Sequence, residues 1–447
     1  MKIKPLKLTV QAAFIMLLLQ GQAAVALANS TRQIVDDSAL RRLYRNILLI
    51  ELPQKVLQFT PQIEELAGGG QVLIQVKEDA ARNEFSIIFA RELGETGNFP
   101  TWSKGTWILT RDKQDGKALK IQVFLRNDEN TYIQFRYLSE NKCLFDQVIY
   151  DSYYIRSLPI AIPFEQLYTA PLEEVLALVG EKFTRRYFEP DPDAYREVRF
   201  FADKVRTRIA IERLEFGDDG AIDERGRYVY IKDGAPQNNE AGLNCSGFSK
   251  WVVDGILWNQ TKSRLPIAPL KEPFGDRGSN FSVAWEALRD PFFGLDWTRN
   301  LASIAAAKLR SPAFSTLEEI EVRDWHFSSL IQKGNPVAYP GFHPNSGFSI
   351  EGLMPLLYAL AIDEPGRIFL AAVNEERGAP VTPDNLRGIP RMREYFHIGV
   401  LVPYFDEAGR FEVRVFESAE ETSIRSFINH PGRSVNLVRI PIQAAFY

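Results

Sequence analysis

The segment Gly242-Leu243-Asn244-Cys245-Ser246-Gly247-Phe248-Ser249-Lys250-Trp251 changes texture at its midpoint. A polar loop ends at Asn244, and Phe248, Val252 and Ile256 then fall on one helical face. Cys245 therefore stands at a helix N-terminus. The unpaired amides and positive dipole end there favour a thiolate over a thiol. Ser246 supplies a backbone amide near the sulfur, where an oxyanion can be held. Gly247 removes a side chain where the helix packs closely or a substrate approaches.

Downstream, Tyr395-Phe396-His397-Ile398-Gly399-Val400-Leu401-Val402-Pro403-Tyr404 alternates in Ile398, Val400 and Val402, which predicts a strand with His397 at its start. Asp406, Glu407 and Gly409 predict a hairpin turn, and Phe411, Val413 and Val415 the partner strand. Folding the hairpin about that turn sets His397 opposite Glu417 or Ser418. A carboxylate there would hold the ring and support an imidazolium, so Cys245, His397 and Glu417 read as nucleophile, base and orienter.

Asn-Cys-Ser-Gly-Phe at 244–248 followed by His-Ile-Gly-Val at 397–400 resembles the NlpC family of papain-like cell-wall cysteine peptidases. That family carries Asp-Cys-Ser-Gly-Phe on its nucleophile helix. On its strand it shows His-Val-Gly-Ile, with a third polar residue, usually His, Asn or Gln, across the hairpin. The resemblance implies a papain-like α+β domain that cleaves amide bonds, with peptidoglycan stem peptides or other peptides as substrate. It also implies an upstream tyrosine at the oxyanion site, for which Tyr230 is the nearest match. Asn244 stands where the family has Asp, and Glu417 where it has a neutral or imidazole side chain. The 152 positions from Cys245 to His397 exceed the family's spacing, and the excess reads as an insertion within about 262–390.

Upstream of this domain the texture is different. The runs Gln71 to Val76, Glu84 to Ala90, Thr106 to Thr110, Ala118 to Leu125, Thr131 to Tyr137 and Lys142 to Tyr150 are short and rich in Val, Ile, Phe and Tyr, which predicts a β-sandwich or barrel. Leu40, Leu43, Tyr44 and Ile47 recur at helical spacing ahead of them. Cys143, in the last run, reads as a buried packing residue. Prolines 159, 163 and 171 mark a boundary, after which helical periodicity at 198–209 takes over.

At the N-terminus, Lys2, Lys4 and Lys7 precede an apolar run from Ala12 to Leu19, and Ala26-Leu27-Ala28 follows: the layout of a cleaved signal peptide, shorter than a bilayer-spanning helix. Its removal takes three lysines and shifts the net charge from −4 to about −7. An acidic chain without Lys/Arg runs has no electrostatic footprint for nucleic acid. Two cysteines are too few for a disulfide framework. The four histidines, His326, His343, His397 and His430, show no metal-ligand spacing, and no cofactor motif is present. His343 is a rival base, but it sits before a proline in a Gly-rich loop.

Together these features predict an α+β chain of three parts: a signal peptide (1–28), a β-sandwich-like domain (29–165) and a papain-like hydrolase domain (166–447). The product is expected in the periplasm or outside the cell, with no transmembrane segment after cleavage. The alternatives are a non-catalytic envelope-binding scaffold that keeps the fold, and an acyltransferase or lipid-amide hydrolase using the same Cys–His pair.

Overall fold

The computed structural model describes residues 34–447 except 239–240, 275–289, 310–315, 345, 378–391, 443–445 and 447. The expected signal segment lies outside the described residues, as does part of the expected insertion. The fold is α+β with mainly antiparallel sheets, in two compact units: 34–147 with 157–183, and 148–156 with 184–447.

In the first unit, helix α1 (Ser38–Leu43) runs into a π-helical turn, Arg45–Leu49. That wider turn shifts the buried face. Leu40, Tyr44, Leu48 and Leu49 point inward, whereas Leu43 and Ile47 are exposed, so the expected stripe is only half correct. Eight strands follow: β1 (Gln62–Glu65), β2 (Gln71–Asp79), β3 (Glu84–Arg91), β4 (Trp107–Asp112), β5 (Ala118–Val123), β6 (Tyr132–Ser139), β7 (Lys142–Ile149) and β8 (Ser152–Ile160). They are neighbours in chain order within one sheet, residues 148–156 of β7 and β8 being counted with the second unit. The strands form a meander in one sheet where the sandwich expectation had two, joined by tight turns except for the longer stretches 92–106 and 124–131. Cys143 is buried, and burial pushes its thiol up to about 12.

The unit does not stop at 165 but continues through helix α2 (Leu172–Val179). Buried Arg41 explains why. Its guanidinium pairs with Asp36 at 2.6 Å and donates to the carbonyls of Tyr168 at 2.9 Å and Ala170 at 3.0 Å. Asp36 in turn accepts the Leu172 amide at 3.0 Å, so 168–172 is tied back to the start of the unit.

The second unit opens with helix α3 (Arg196–Glu212) and the small hairpin β9 (Gly220–Ile222) and β10 (Tyr228–Tyr230). Helices α4 (Cys245–Thr261) and α5 (Phe293–Lys308) follow, then strands β11 (Ser329–Gln332), β12 (Asn335–Ala338) and β13 (Phe348–Ser349). The apolar run at 354–362 lies within buried helix α6 (Leu353–Asp363). Strands β14 (Arg367–Arg377), β15 (Met392–Phe405), β16 (Phe411–Glu417), β17 (Glu420–Ser423) and β18 (Ser434–Pro441) complete a six-stranded sheet ordered β13-β18-β14-β15-β16-β17. One face packs Ile398, Val400 and Val402 into a core with Phe248 and Val252 of α4 and Leu301 of α5. The other face packs Leu401, Val413 and Val415 with Leu353, Leu356 and Leu357 of α6. No described helix is long and apolar enough to cross a membrane.

A buried polar hub ties α5 to the sheet. Glu321 accepts from Arg299 at 2.5 Å, Arg323 at 2.7 Å and Asn436 at 2.8 Å. Arg299 and Glu321 are both almost fully buried. Removing the acid strands a guanidinium in the core. Glu321→Ala is therefore expected to lower the stability of this unit by about 3–5 kcal/mol, read from its transition in denaturant unfolding.

Candidate active site

Asn244 is the N-cap of α4, its side-chain oxygen accepting the Gly247 amide at 2.8 Å. The cap function needs only an acceptor oxygen, which Asn supplies as well as Asp. Cys245 is the first helical residue. Gly247 is there for close packing: a Cβ would collide with the Gly220 carbonyl of β9. Trp297 of α5 braces the same turn, donating its indole N–H to the Ser246 carbonyl at 2.9 Å and to the Ser249 hydroxyl at 3.2 Å. Among the described residues, the amides of Cys245 and Ser246 donate to no protein acceptor.

His397 arrives on β15, but not at the strand's start. Against β14 the register runs Val373↔His397 and then Asn374↔Tyr395, so Phe396 is an extra residue. Such a bulge re-aims the side chains beside it. On the other side, the ladder with β16 pairs Phe405↔Phe411 across the five-residue turn 406–410 and stops at Val400↔Phe416. Phe405 pairs with Phe411 instead of lying in the turn, which places Glu417 level with Gly399 rather than with His397. Glu417 still reaches the ring as the diagonal neighbour on the same face. Its Oε2 lies 2.5 Å from His397 Nε2, and its Oε1 accepts from the Thr422 hydroxyl at 2.7 Å.

Gly399 keeps that diagonal open. The Phe427 ring lies over it, and a Cβ at 399 would come within 2.7 Å of ring carbon Cε2. The same ring stands 6.5 Å, centroid to centroid, from the His397 imidazole.

With Nε2 on Glu417, Nδ1 is left for the sulfur, and the Cys245 thiol and His397 ring are hydrogen-bonded. Because the β16 ladder stops at Val400, the Ile398 amide is available to the sulfur and donates to it. Burial alone would raise the Cys245 thiol. The His397 hydrogen bond and charge, the Ile398 amide and the Ser246 hydroxyl outweigh it and hold the thiol below its ordinary value. Burial likewise pulls His397 down, but hydrogen bonds and charge from Cys245 and Glu417 push it up to about 9. Glu417, raised by burial, is lowered overall by His397 and Thr422. The lowered thiol, the raised imidazole and the lowered carboxyl each favour the charged form of their neighbour in the row.

The triad residues Cys245 and His397 line a cavity of about 650 Å³, with Ser246 at its wall. Phe216, Phe293 and Phe396 give it apolar surface; Lys232, Lys271, Asp218, Asp219 and Glu394 line it as well. Tyr230 is not among the lining residues. It ends β10 with its ring against the Lys232 ammonium, because the chain turns at 231–235 and sends its neighbours Ile231 and Lys232 to the cavity instead. His343 pairs with Gly347 in its own loop and does not line the cavity either. Among the described residues, no cluster of three or more His, Cys, Asp or Glu is placed to hold a metal ion.

Gly399→Ala is expected to push the Phe427 ring against His397 and slow alkylation of Cys245 by iodoacetamide by about tenfold or more, while Gly399→Ala with Phe427→Leu recovers most of the rate. The pair of rates, measured at neutral pH, isolates the steric contact.

A family described as a domain of unknown function, DUF8515, matches residues 30–187. The matched segment ends before Cys245, so the thiol site lies outside it. No curated protein and no solved structure matches the chain.

Proposed function

We propose that this chain is an exported cysteine hydrolase of the papain-like type, cleaving amide bonds in peptidoglycan stem peptides. The hydrogen-bonded order Cys245–His397–Glu417 at a helix N-terminus carries the reading. A thiolate beside an imidazolium is a nucleophile already paired with the acid its leaving group needs. The mixed charge and aromatic surface of the cavity suit a peptide that bears both carboxylates and an ammonium. The NlpC-like motifs support the stem-peptide assignment, and the Lys2–Ala28 layout supports export.

The sulfur attacks the amide carbonyl carbon, and the oxygen that gains charge faces the free amides of Cys245 and Ser246. The C–N bond breaks as His397 gives its proton to the departing amine, leaving a thioester on Cys245. His397, now neutral, takes a proton from water as the water attacks the thioester. The C–S bond breaks, the acid product leaves, and the thiolate–imidazolium pair is restored. Glu417 holds the ring by Nε2 throughout and stays ionised, since its carboxyl is held below the usual range.

A second reading uses the same thioester with another acceptor, because nothing in the triad selects water. A scaffold without turnover would not need the thiol lowered, and both cysteines are free thiols rather than partners in a disulfide.

Incubating purified peptidoglycan with the mature protein should release stem-peptide fragments detectable by mass spectrometry, and Cys245→Ala should lower the rate by about a thousandfold or more. Undigested peptidoglycan with a fully reactive Cys245 would sink the substrate assignment and leave acyl transfer. The imidazolium is lost as pH rises through about 9, so kcat/KM should fall on that alkaline limb. Glu417→Gln removes one of the two groups that raise His397, so the limb should move to lower pH while KM changes little.

A further inference from the structure

The first unit holds a cavity of its own, about 660 Å³, away from the thiol chemistry. Arg111 of β4 stands in its wall and is only 7% exposed. Its Nε donates to the Gly116 carbonyl at 2.7 Å, and its Nη1 to the carbonyls of Glu51 at 2.9 Å and Leu48 at 3.3 Å. Its guanidinium also lies over the Phe85 ring, 5.5 Å from the centroid. Every one of these partners is neutral. Among the described residues Arg111 forms no ion pair, and its Nη2 donates to no protein acceptor. A buried charge is ordinarily paired, because leaving it alone in low dielectric is costly.

Tyr168 is the second half of the site. It is 5% exposed and lines the same cavity, and its hydroxyl hydrogen-bonds to no protein atom. Opposite the arginine, the β4–β5 register slips between Thr110 and Arg111 and leaves Leu119 as an extra residue on β5. Gly116, at φ +73°, adopts a left-handed conformation, and a Cβ there would touch Arg111 Nη2 at 3.0 Å. The remaining wall is apolar, with Leu49, Ile50 and Phe164 contributing.

We infer that this cavity binds a small carboxylate carried on an apolar body, its anionic end on Arg111 Nη2 and the Tyr168 hydroxyl, its tail against Leu49, Ile50 and Phe164. Lys117 at the rim is already paired with Asp115 at 2.7 Å, and Glu140 and Glu165 line the wall besides Arg111. Beside those carboxylates the single guanidinium tolerates one negative charge better than two, which favours a monoanion over a dianionic phosphate. The carboxylate can be that of a fatty acyl chain or the C-terminus of a peptide ending in an apolar residue. This inference does not depend on the hydrolase reading.

Isothermal titration of the mature protein with octanoate, N-acetylphenylalanine, octanamide and inorganic phosphate tests it. At least one of the two carboxylates should bind about tenfold or more tighter than octanamide and phosphate, and the tighter one names the source. Tyr168→Phe should weaken that binding by about tenfold, since a hydrogen bond to a charged group is lost while the ring remains. Arg111→Gln should abolish it, judged only if its melting curve shows the unit still folded; Tyr168→Phe carries the test otherwise. Equal binding of octanoate and octanamide, tighter binding of phosphate, no binding by either carboxylate, or unchanged affinity in Tyr168→Phe would each overturn the proposal.

Discussion

The contact between Glu417 and His397 governs the rest of the site, and it exists because a β-ladder ends early. β16 pairs with β15 only as far as Val400↔Phe416. Beyond that point Ser418 and Ala419 adopt positive φ and turn the chain away. Three consequences meet at this notch. The Ile398 amide is left for the sulfur, Gly399 gives Glu417 a clear diagonal, and the Phe396 bulge sets the imidazole between acid and thiol. A ladder two residues longer would consume the amide and seal the gap.

The thiol's side of the pairing is fixed from the helix. Burial opposes a thiolate, and the His397 ring, the Ile398 amide and the Ser246 hydroxyl together outweigh it. That balance requires the first turn of α4 to stay in place. Asn244 caps it, Gly247 lets it approach the Gly220 carbonyl, and Trp297 pins its Ser246 carbonyl. One turn further on, the buried Lys250–Asp254 pair ties the helix to the Ile222 carbonyl and the Leu265 amide. Trp297 comes from the stretch between the two motifs, so that stretch supports Cys245 as well as separating it from His397.

What the sequence disclosed follows what period and residue type encode. The alternating runs gave β2 to β7 within a few residues, and the 3.6 period gave α3 and α4, because one buried face writes itself directly into the chain. Strand β8 was not legible: Pro159 reads as a break, and only Ser152 and Ile160 of its nine residues are buried, so no alternation marks it. The single meander was invisible because pairing partners are a tertiary property. At the site, Cys245, His397 and Glu417 were found by type and order. Their exact register was not, since one more residue in the 406–410 turn moves every partner. Gly399 and Phe427 went unnoticed, as a glycine beneath a distant ring has no local signature. Tyr230 was placed by analogy alone, and the turn at 231–235 carries the cavity wall past it. Arg111 escaped because an arginine in a strand reads as surface.

An acid as third member of the triad has a cost and a use that a neutral amide would not. A carboxylate on Nε2 raises the imidazole and so stabilises the imidazolium that, in the proposed hydrolase, protonates the amine. The same push would leave a poor base for the second half of the cycle, when water must lose a proton. The sulfur resolves the conflict. Once it is acylated it carries no charge, and the hydrogen bond and coulombic attraction it lent to His397 disappear, while burial keeps pulling the ring down. In the proposed cycle the imidazole is thus an acid beside a thiolate and a base beside a thioester, with Glu417 unchanged in both states. Switching of this kind follows from having a buried ring between two anions of which only one is consumed.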